Sequence, residues 1–351
     1  MRSPVLLLAT ACLAAPALAD HAGPTAAGPG GGISVVSPDT LEAGQSSVGF
    51  RLTYTQPNRR SDEQLQALAG EHIHAHNTDY NANAAVGFAY GLTHRLTLSA
   101  ELPYIRRDGL REGEHAHVGG EAINEVVQLG NVAGIGDLSV LAKYRLTDSE
   151  AVGFALITGL KVPTGSTRQR SNEGERLETE HQPGTGSWDP IVGAAGGAKL
   201  GALHLNASAL YQFSGKGAQR TRLGDRAQGG ISLSHRFGPA EHHHEEAQAD
   251  HHEHGDGDDA APHNHDIAPH GHQSFDAFVE LTGEWEGRQK VDGEIETASG
   301  GKSIWLTPGA RFNSASGFSV AAAFGLPLWQ DIRASHPDND YRLTLSVGHA
   351  F

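Results

Sequence analysis

The densest chemistry in the chain is the run EHHHEEAQADHHEH at 241–254, followed by PHNHDIAPHGH at 262–272. Between positions 241 and 272 stand ten histidines, nine acids and no Lys or Arg. Neutral imidazole with carboxylate suits Zn, Cu, Ni or Co. His242, His243 and His244, then His251, His252 and His254, His263 with His265, and His270 with His272 offer many alternative ligand sets. The intervening Gly, Ala, Pro and Asp deny a packed core, so 239–274 is expected to be a disordered loop. Such a loop gives several weak, exchanging metal sites rather than one fixed tetrahedral site. The plainer reading is a solvated acidic linker.

Two further groups are shorter: EHIHAH at 71–76 and EHAH at 114–117. In an extended segment, residues two apart point the same way. His72, His74 and His76 are therefore expected in one row, and His115 with His117 in another. A joint metal site would require the two segments to meet, and sequence alone favours two separate polar loops.

Period-two alternation supplies the elements that must carry these groups. In the final YRLTLSVGHAF, Tyr341, Leu343, Leu345, Val347 and Phe351 share one face; Arg342, Thr344, Ser346, Gly348 and Ala350 share the other. The pattern predicts strands near 45–55, 81–92, 94–105, 135–146, 151–162, 188–199, 202–213, 227–237, 275–285, 303–313, 317–328 and 340–351. Each is about ten residues long, enough to cross the hydrocarbon core at a tilt. Tyr54, Tyr104, Trp188, Tyr211, Phe213, Trp285 and Trp329 gather near the strand ends, as interfacial girdles do. Short connections alternate with long ones at 56–80, 106–134, 163–187, 214–226, 286–302 and 329–339. The expected fold is all-β: a transmembrane antiparallel up-and-down barrel of about 12 strands. A soluble all-β protein is the alternative. An even count puts both termini in the periplasm, and the His-rich run joins strands eight and nine on that same side.

The N-terminal MRSPVLLLATACLAAPALAD carries Arg2, an apolar stretch and the small-x-small site Ala17-Leu18-Ala19. It reads as a signal peptide over 1–19, cleaved before Asp20. Residues 20–44 then form a flexible lead, and 45–351 the barrel. The single cysteine, Cys12, falls in the signal, so no thiolate metal site is expected. After the signal no 18-residue apolar run occurs, which excludes a helical membrane protein. A net charge of -15 argues against nucleic acid as a partner.

The faces of the expected strands turn Arg51, Glu101, Lys143, Arg145, Lys161, His204, Arg236, Glu280 and Arg311 into the lumen, with Asp189 and Glu284 beside them. Mixed charge there selects small polar or charged solutes. Equally, it forms ion pairs that fill the barrel. Twelve strands imply a narrow or partly filled pore.

Four phrases, AELPYIRR (100–107), GIGDLSVLAKYRL (134–146), GLKVPTG (159–165) and GSWDPIVGAA (186–195), resemble the outer-membrane barrel "transporter" family labelled as a putative meta-pathway of phenol degradation. The likeness runs from about 45 to the C-terminus and implies a barrel passing small molecules, without carrying over substrate-binding residues. A terminal Phe351 closing an alternating strand resembles the signal read by the barrel assembly machinery, although His349 stands where an aromatic is usual. An enzyme is not expected: no Gly-x-Ser-x-Gly motif occurs, and His235 falls on the lipid face while Ser232 and Ser234 do not. The expectation is therefore a channel for small solutes in the outer membrane of a Gram-negative bacterium, in contact with its lipid. No cofactor is required, and the His-rich loop captures divalent metal. A channel for hydrophobic or aromatic compounds and a closed-barrel protein for metal buffering or adhesion are the alternatives.

Overall fold

In the computed structural model, residues 32–118, 121–149, 151–238 and 273–351 are described. The expected signal peptide and the histidines of 241–272 lie outside them. In chain order the elements are β1 (Ser46–Pro57), α1 (Asp62–Gly70), β2 (Ala75–Asn77), β3 (Tyr80–Thr93), β4 (Leu96–Val118), β5 (Glu121–Ile135), β6 (Leu138–Arg145), β7 (Val152–Val162), β8 (Asp189–Leu200) and β9 (Leu203–Gln212). There follow β10 (Arg226–Phe237), β11 (Ser274–Glu286), β12 (Lys290–Val291), β13 (Glu294–Ile295), β14 (Gly301–Asn313), β15 (Phe318–Ile332) and β16 (Asn339–Ala350).

Twelve of these close a barrel, each antiparallel to its neighbours: β1, β3, β4, β6, β7, β8, β9, β10, β11, β14, β15 and β16, which returns to β1. Each overlaps one of the twelve expected segments. Closure through Leu52↔Leu345 on one side and Leu98↔Ala142 on another leaves no free edge. Polarity is inverted relative to a soluble protein. Phe50, Val86, Leu156, Ile231 and Leu345 are exposed on the outer wall, whereas Arg51, Glu101, Lys161, Glu280 and Arg311 are buried. A hydrocarbon exterior rewards that arrangement, since apolar surface needs no burial there.

Aromatic groups mark both rims. Tyr54 stacks on Tyr80 and Tyr341, and Tyr211 packs on Phe213 and Trp285, at the end carrying the long connections. Phe237 packs on Phe275 at the end carrying the short turns, the start of β1 and the C-terminus, the terminus end. His349 stacks on Phe351 there, so the imidazole takes the place of the missing aromatic.

The second outer connection departs from the expected loop. β4 runs for 23 residues; its first part pairs with β6 and the remainder pairs with β5 from Tyr104↔Ile135 out to Val118↔Glu121. Most of 106–134 is thus a two-stranded arm projecting beyond the barrel. Register shifts between Arg107 and Arg111 break its period of two, and Arg107 and Glu112 are buried along with Leu110, which hid the strand in the sequence. α1 lies along the arm with Leu65 and Ala69 buried, started by Ser61 and Gln64 capping each other's backbone N–H groups. Gly113 admits it: a Cβ there would stand 2.4 Å from the Leu65 carbonyl oxygen.

The phrases behind the family resemblance meet in space. Asp137 of GIGD, Lys161 of GLKVPTG and Asp189 of GSWDP form one buried triad, with Lys161 Nζ 2.8 Å from a carboxylate oxygen of each aspartate. Lys161 Nζ and the Asp137 carboxylate both bond the Thr185 hydroxyl, and Asp137 accepts the backbone N–H groups of Gly165 and Thr185 at 2.9 Å. Gly165 and Gly184 cross so closely that a Cβ on the former would lie 2.6 Å from the Cα of the latter. Lys161→Met leaves two buried aspartates sharing no cation. It should lower barrel stability by about 3–5 kcal/mol in urea unfolding; a loss under about 1 kcal/mol would contradict this account.

Candidate functional site

The lumen is stoppered by the chain's own N-terminal segment. Residues 20–44 were expected to be a flexible lead; the described part, 32–44, instead enters the barrel at the terminus end, with Ile33, Val35, Val36 and Ser37 buried. The segment has no helix or ladder of its own, so its backbone polar groups must find partners on the wall. Glu280 accepts the N–H of Ser34 at 3.0 Å and of Val35 at 2.9 Å. Ser208 accepts the N–H of Val36, and Thr97 that of Leu41. Arg311 donates to the Gly32 carbonyl at 2.8 Å, Lys143 to the Ser37 carbonyl at 3.0 Å and Arg51 to the Ile33 carbonyl at 3.4 Å. Ile33 packs on Phe278, Ala321 and Ala323, while Val36 packs on Leu141, Ile157, Ile191 and Ala195.

All nine lumen residues expected from the sequence lie on the inward face. Arg51, Lys143, Glu280 and Arg311 hold the segment; Arg145 stands 3.6 Å from its Asp39, and His204 borders a small cleft against Pro38 and Asp39. Glu101 pairs with Arg51 at 3.1 Å, and Arg236 with Asp276 at 2.8 Å. Sequence reading missed Trp305, which is fully buried inside the barrel beneath the Arg342 guanidinium, 4.2 Å from the ring centroid. Its signal was present, since Trp305 alternates in phase with Ser303 and Thr307.

At the opposite end the long connections bring histidines together; His115 and His117 share a row on β4 as expected, whereas His72, His74 and His76 do not form one. His72 takes a left-handed backbone, φ 59°, in the turn after α1, and this breaks the extended geometry on which a common row depends. His72 instead packs on His115, which packs on His117, with ring centroids 4.4 and 5.0 Å apart. The two segments therefore do meet, at an exposed edge of the arm. His74 pairs with Glu112 at 3.3 Å, and that carboxylate raises its imidazole to about 9.

His76 alone turns inward. β2 hydrogen-bonds to β4, and His76 N–H donates to the Ser335 carbonyl at 3.0 Å, which draws the last outer connection alongside. There His76 meets His336 and His181, with ring centroids 4.1 and 4.4 Å away. Its Nδ1 lies 3.5 Å from Glu180 Oε1, and His181 Nε2 lies 3.8 Å from the same oxygen. Gln289 Nε2 donates to Glu180 Oε2 at 2.6 Å. Arg107 donates to the His181 and Gln182 carbonyls, and Arg60 to those of Ala334 and His336. Burial, reinforced by neighbouring guanidinium and imidazole groups, holds His76 and His181 well below the usual histidine range and His336 down to about 3. All three are therefore neutral. Burial and the nearby Glu178 and Glu296 push the Glu180 carboxyl well above its ordinary range. Glu178, at the rim, is raised to about 7 by partial desolvation and by Glu112 and Glu296. Glu180 and His181 were missed because they stand in a single short run, ETEH at 178–181, and His336 because it stands alone; only the fold brings them to His76.

A cavity of about 70 Å³ lies under this cluster, bordered by His76, Arg107, His181, Arg226, Gln289 and His336. A larger one of about 300 Å³ opens at the terminus end, bordered by Ile33, Leu41, Arg51, Lys143, Arg236 and Arg311. The two share no lining residue.

Among solved structures, the chain is similar to an outer-membrane channel from Pseudomonas putida F1, at 17% identity over 89% of this chain and 97% of that one, with a TM-score of 0.52. The shared feature is the barrel fold, in line with the phrases that resemble an outer-membrane transporter family. Weaker likenesses include the TodX deltaS2S3 mutant, a monoaromatic hydrocarbon channel, at 10% identity, 90% and 92% coverage and a TM-score of 0.38. LpxR from Salmonella typhimurium follows at 11%, 86% and 99%, with 0.39. No protein-family model and no curated protein matches the chain.

The stopper can be tested directly, because Cys12 is the chain's only cysteine. Val35→Cys in the refolded barrel should react with a water-soluble maleimide at least about tenfold more slowly than Ser316→Cys in an exposed turn. Adding Glu280→Ala, which removes the acceptor for Ser34 and Val35, should speed that reaction. Equal rates for Val35→Cys and Ser316→Cys would show that the segment is not seated.

Proposed function

We propose that the protein is a gated channel for small polar or charged solutes in the outer membrane of a Gram-negative bacterium. One observation carries this reading: a polar, charge-lined barrel whose lumen is stoppered by a short segment held through hydrogen bonds rather than by a folded domain. Such a stopper can leave, because water and the wall side chains can satisfy the same backbone groups once it does. The charges around it, Arg51, Lys143, Arg236 and Arg311 against Glu101, Asp276 and Glu280, would then line the path. A lumen of this polarity suits ions and hydrophilic solutes better than aromatic hydrocarbons.

The His-rich run connects β10 to β11 in sequence, and the adjoining ends of those strands lie at the end that bears the start of β1 and the C-terminus. On the channel reading that end faces the periplasm, and the run would collect divalent Zn, Cu, Ni or Co beside the vestibule. Whether metal is the cargo follows from flux measurements.

A second reading, a permanently closed barrel for metal buffering or adhesion, is favoured by the separation of the two cavities. Planar-bilayer conductance decides between them. The intact protein should show rare openings, and deletion of 20–41, or Glu280→Ala with Arg311→Ala, should raise conductance several-fold. A barrel that stays silent in both variants is closed by design, and the channel reading falls. For the run, calorimetric titration with zinc, copper and nickel should show several sites of micromolar affinity or tighter that vanish when 241–272 is deleted. Persistence of all of them would reduce the run to a solvated linker.

A further inference from the structure

We propose that His76, His336 and Glu180 form a site for one divalent transition-metal ion at the mouth of the barrel, with His181 placed to join them. This site is separate from the His-rich run and independent of it. One ligand atom from each of His76, Glu180 and His336 falls within 4.8 Å of the others. Ligands about 2.0–2.2 Å from a common tetrahedral ion stand roughly 3.3–3.6 Å apart, so the side chains must draw inward by up to about an ångström to close the shell.

Two features separate this group from an ordinary packed histidine cluster. First, His181 is 3% exposed and its Nε2 has no hydrogen-bond partner among the described residues, although it stands 3.8 Å from Glu180 Oε1. A buried imidazole nitrogen without a partner is costly unless something binds it. Second, the carboxylate is already oriented. Gln289 engages Oε2, which leaves Oε1 towards His76 and His181, the arrangement by which outer groups aim a ligand at a metal. Imidazole nitrogens and a carboxylate oxygen are the donor types that such an ion takes.

The guanidiniums of Arg60 and Arg107 oppose a cation here. Both, however, are turned onto backbone carbonyls of the ligand-bearing segments. The donor set of two or three imidazoles and one carboxylate fits Zn, Co, Ni or Cu and not Ca or Mg, which take oxygen ligands. The ligands come from three different outer connections, at β2, at 163–188 and at 333–338. A bound ion would therefore tie three loops across the entrance.

The test uses Co2+ as the probe, titrated into refolded full-length protein, into His76→Asn with His336→Asn, and into protein lacking 241–272. Full-length protein should develop the visible absorption of low-coordinate Co2+ with a stoichiometric tight component. Deleting 241–272 should leave that component in place, while the double substitution should weaken it at least about tenfold and abolish the absorption. Heat-modified electrophoretic mobility confirms that each variant is folded. The proposal is overturned if the double variant gives the parent's tight component and spectrum, or if the folded deletion variant shows no such component. A failure of the His-rich run to bind metal would leave the spectrum of the deletion variant equal to that of the parent, so the two ideas fail separately.

Discussion

A backbone crossing hydrocarbon finds no water for its N–H and C=O groups, and every other feature of this molecule answers to that constraint. Only a closed ladder pairs them all, so twelve strands return on themselves through β16 and β1. Closure in turn sends alternate side chains inward, where the low dielectric makes unpaired charge expensive. The lumen is accordingly built from paired groups: Arg51 with Glu101, Lys161 between Asp137 and Asp189, Arg236 with Asp276, and Arg342 with Glu284. The same demand explains how residues 32–44 can lie inside the barrel without secondary structure. Their backbone groups are met by Glu280, Ser208, Thr97, Lys143 and Arg311, so the wall side chains do for this segment what neighbouring strands do elsewhere.

The two ends of the barrel divide the chemistry. The terminus end carries short turns, the vestibule, the entering segment and the two strand ends from which the His-rich run departs. At the loop end the backbone is free of the hydrocarbon, and the strands can extend as an arm, carry a helix and fold connections over the entrance. There the burial comes from loop upon loop. His76, His181 and His336 are held below the usual histidine range because protein rather than water surrounds them, and Glu180 keeps company with other carboxylates in the same enclosure. A rigid barrel rim places residues 105 and 260 positions from His76 within contact distance of it, which a flexible loop protein could not do reproducibly.

Sequence by itself determined the barrel. Alternation such as Tyr341-Leu343-Leu345 against Arg342-Thr344-Ser346 is imposed by lipid on one side and polar lumen on the other, and its period of two is local. The lumen residues followed from the same parity, and Arg51, Lys143 and Glu280 lie inward for that reason. What escaped were features that answer to a different solvent or to distance. The β4–β5 arm shifts register between Arg107 and Arg111 and buries Arg107 and Glu112 along with Leu110, and so lost the alternation that betrayed the other strands. The lead 32–44 carries no strand or helix pattern, because its partners are wall side chains far away in the chain. The histidines show the limit most clearly. His72, His74 and His76 look like one row in sequence, yet a left-handed turn at His72 and the inward pairing of β2 send them to three different neighbourhoods. Only the tertiary structure could seat His76 beside Glu180 and His336, because that proximity comes from loop packing above the membrane, where no local periodicity records it.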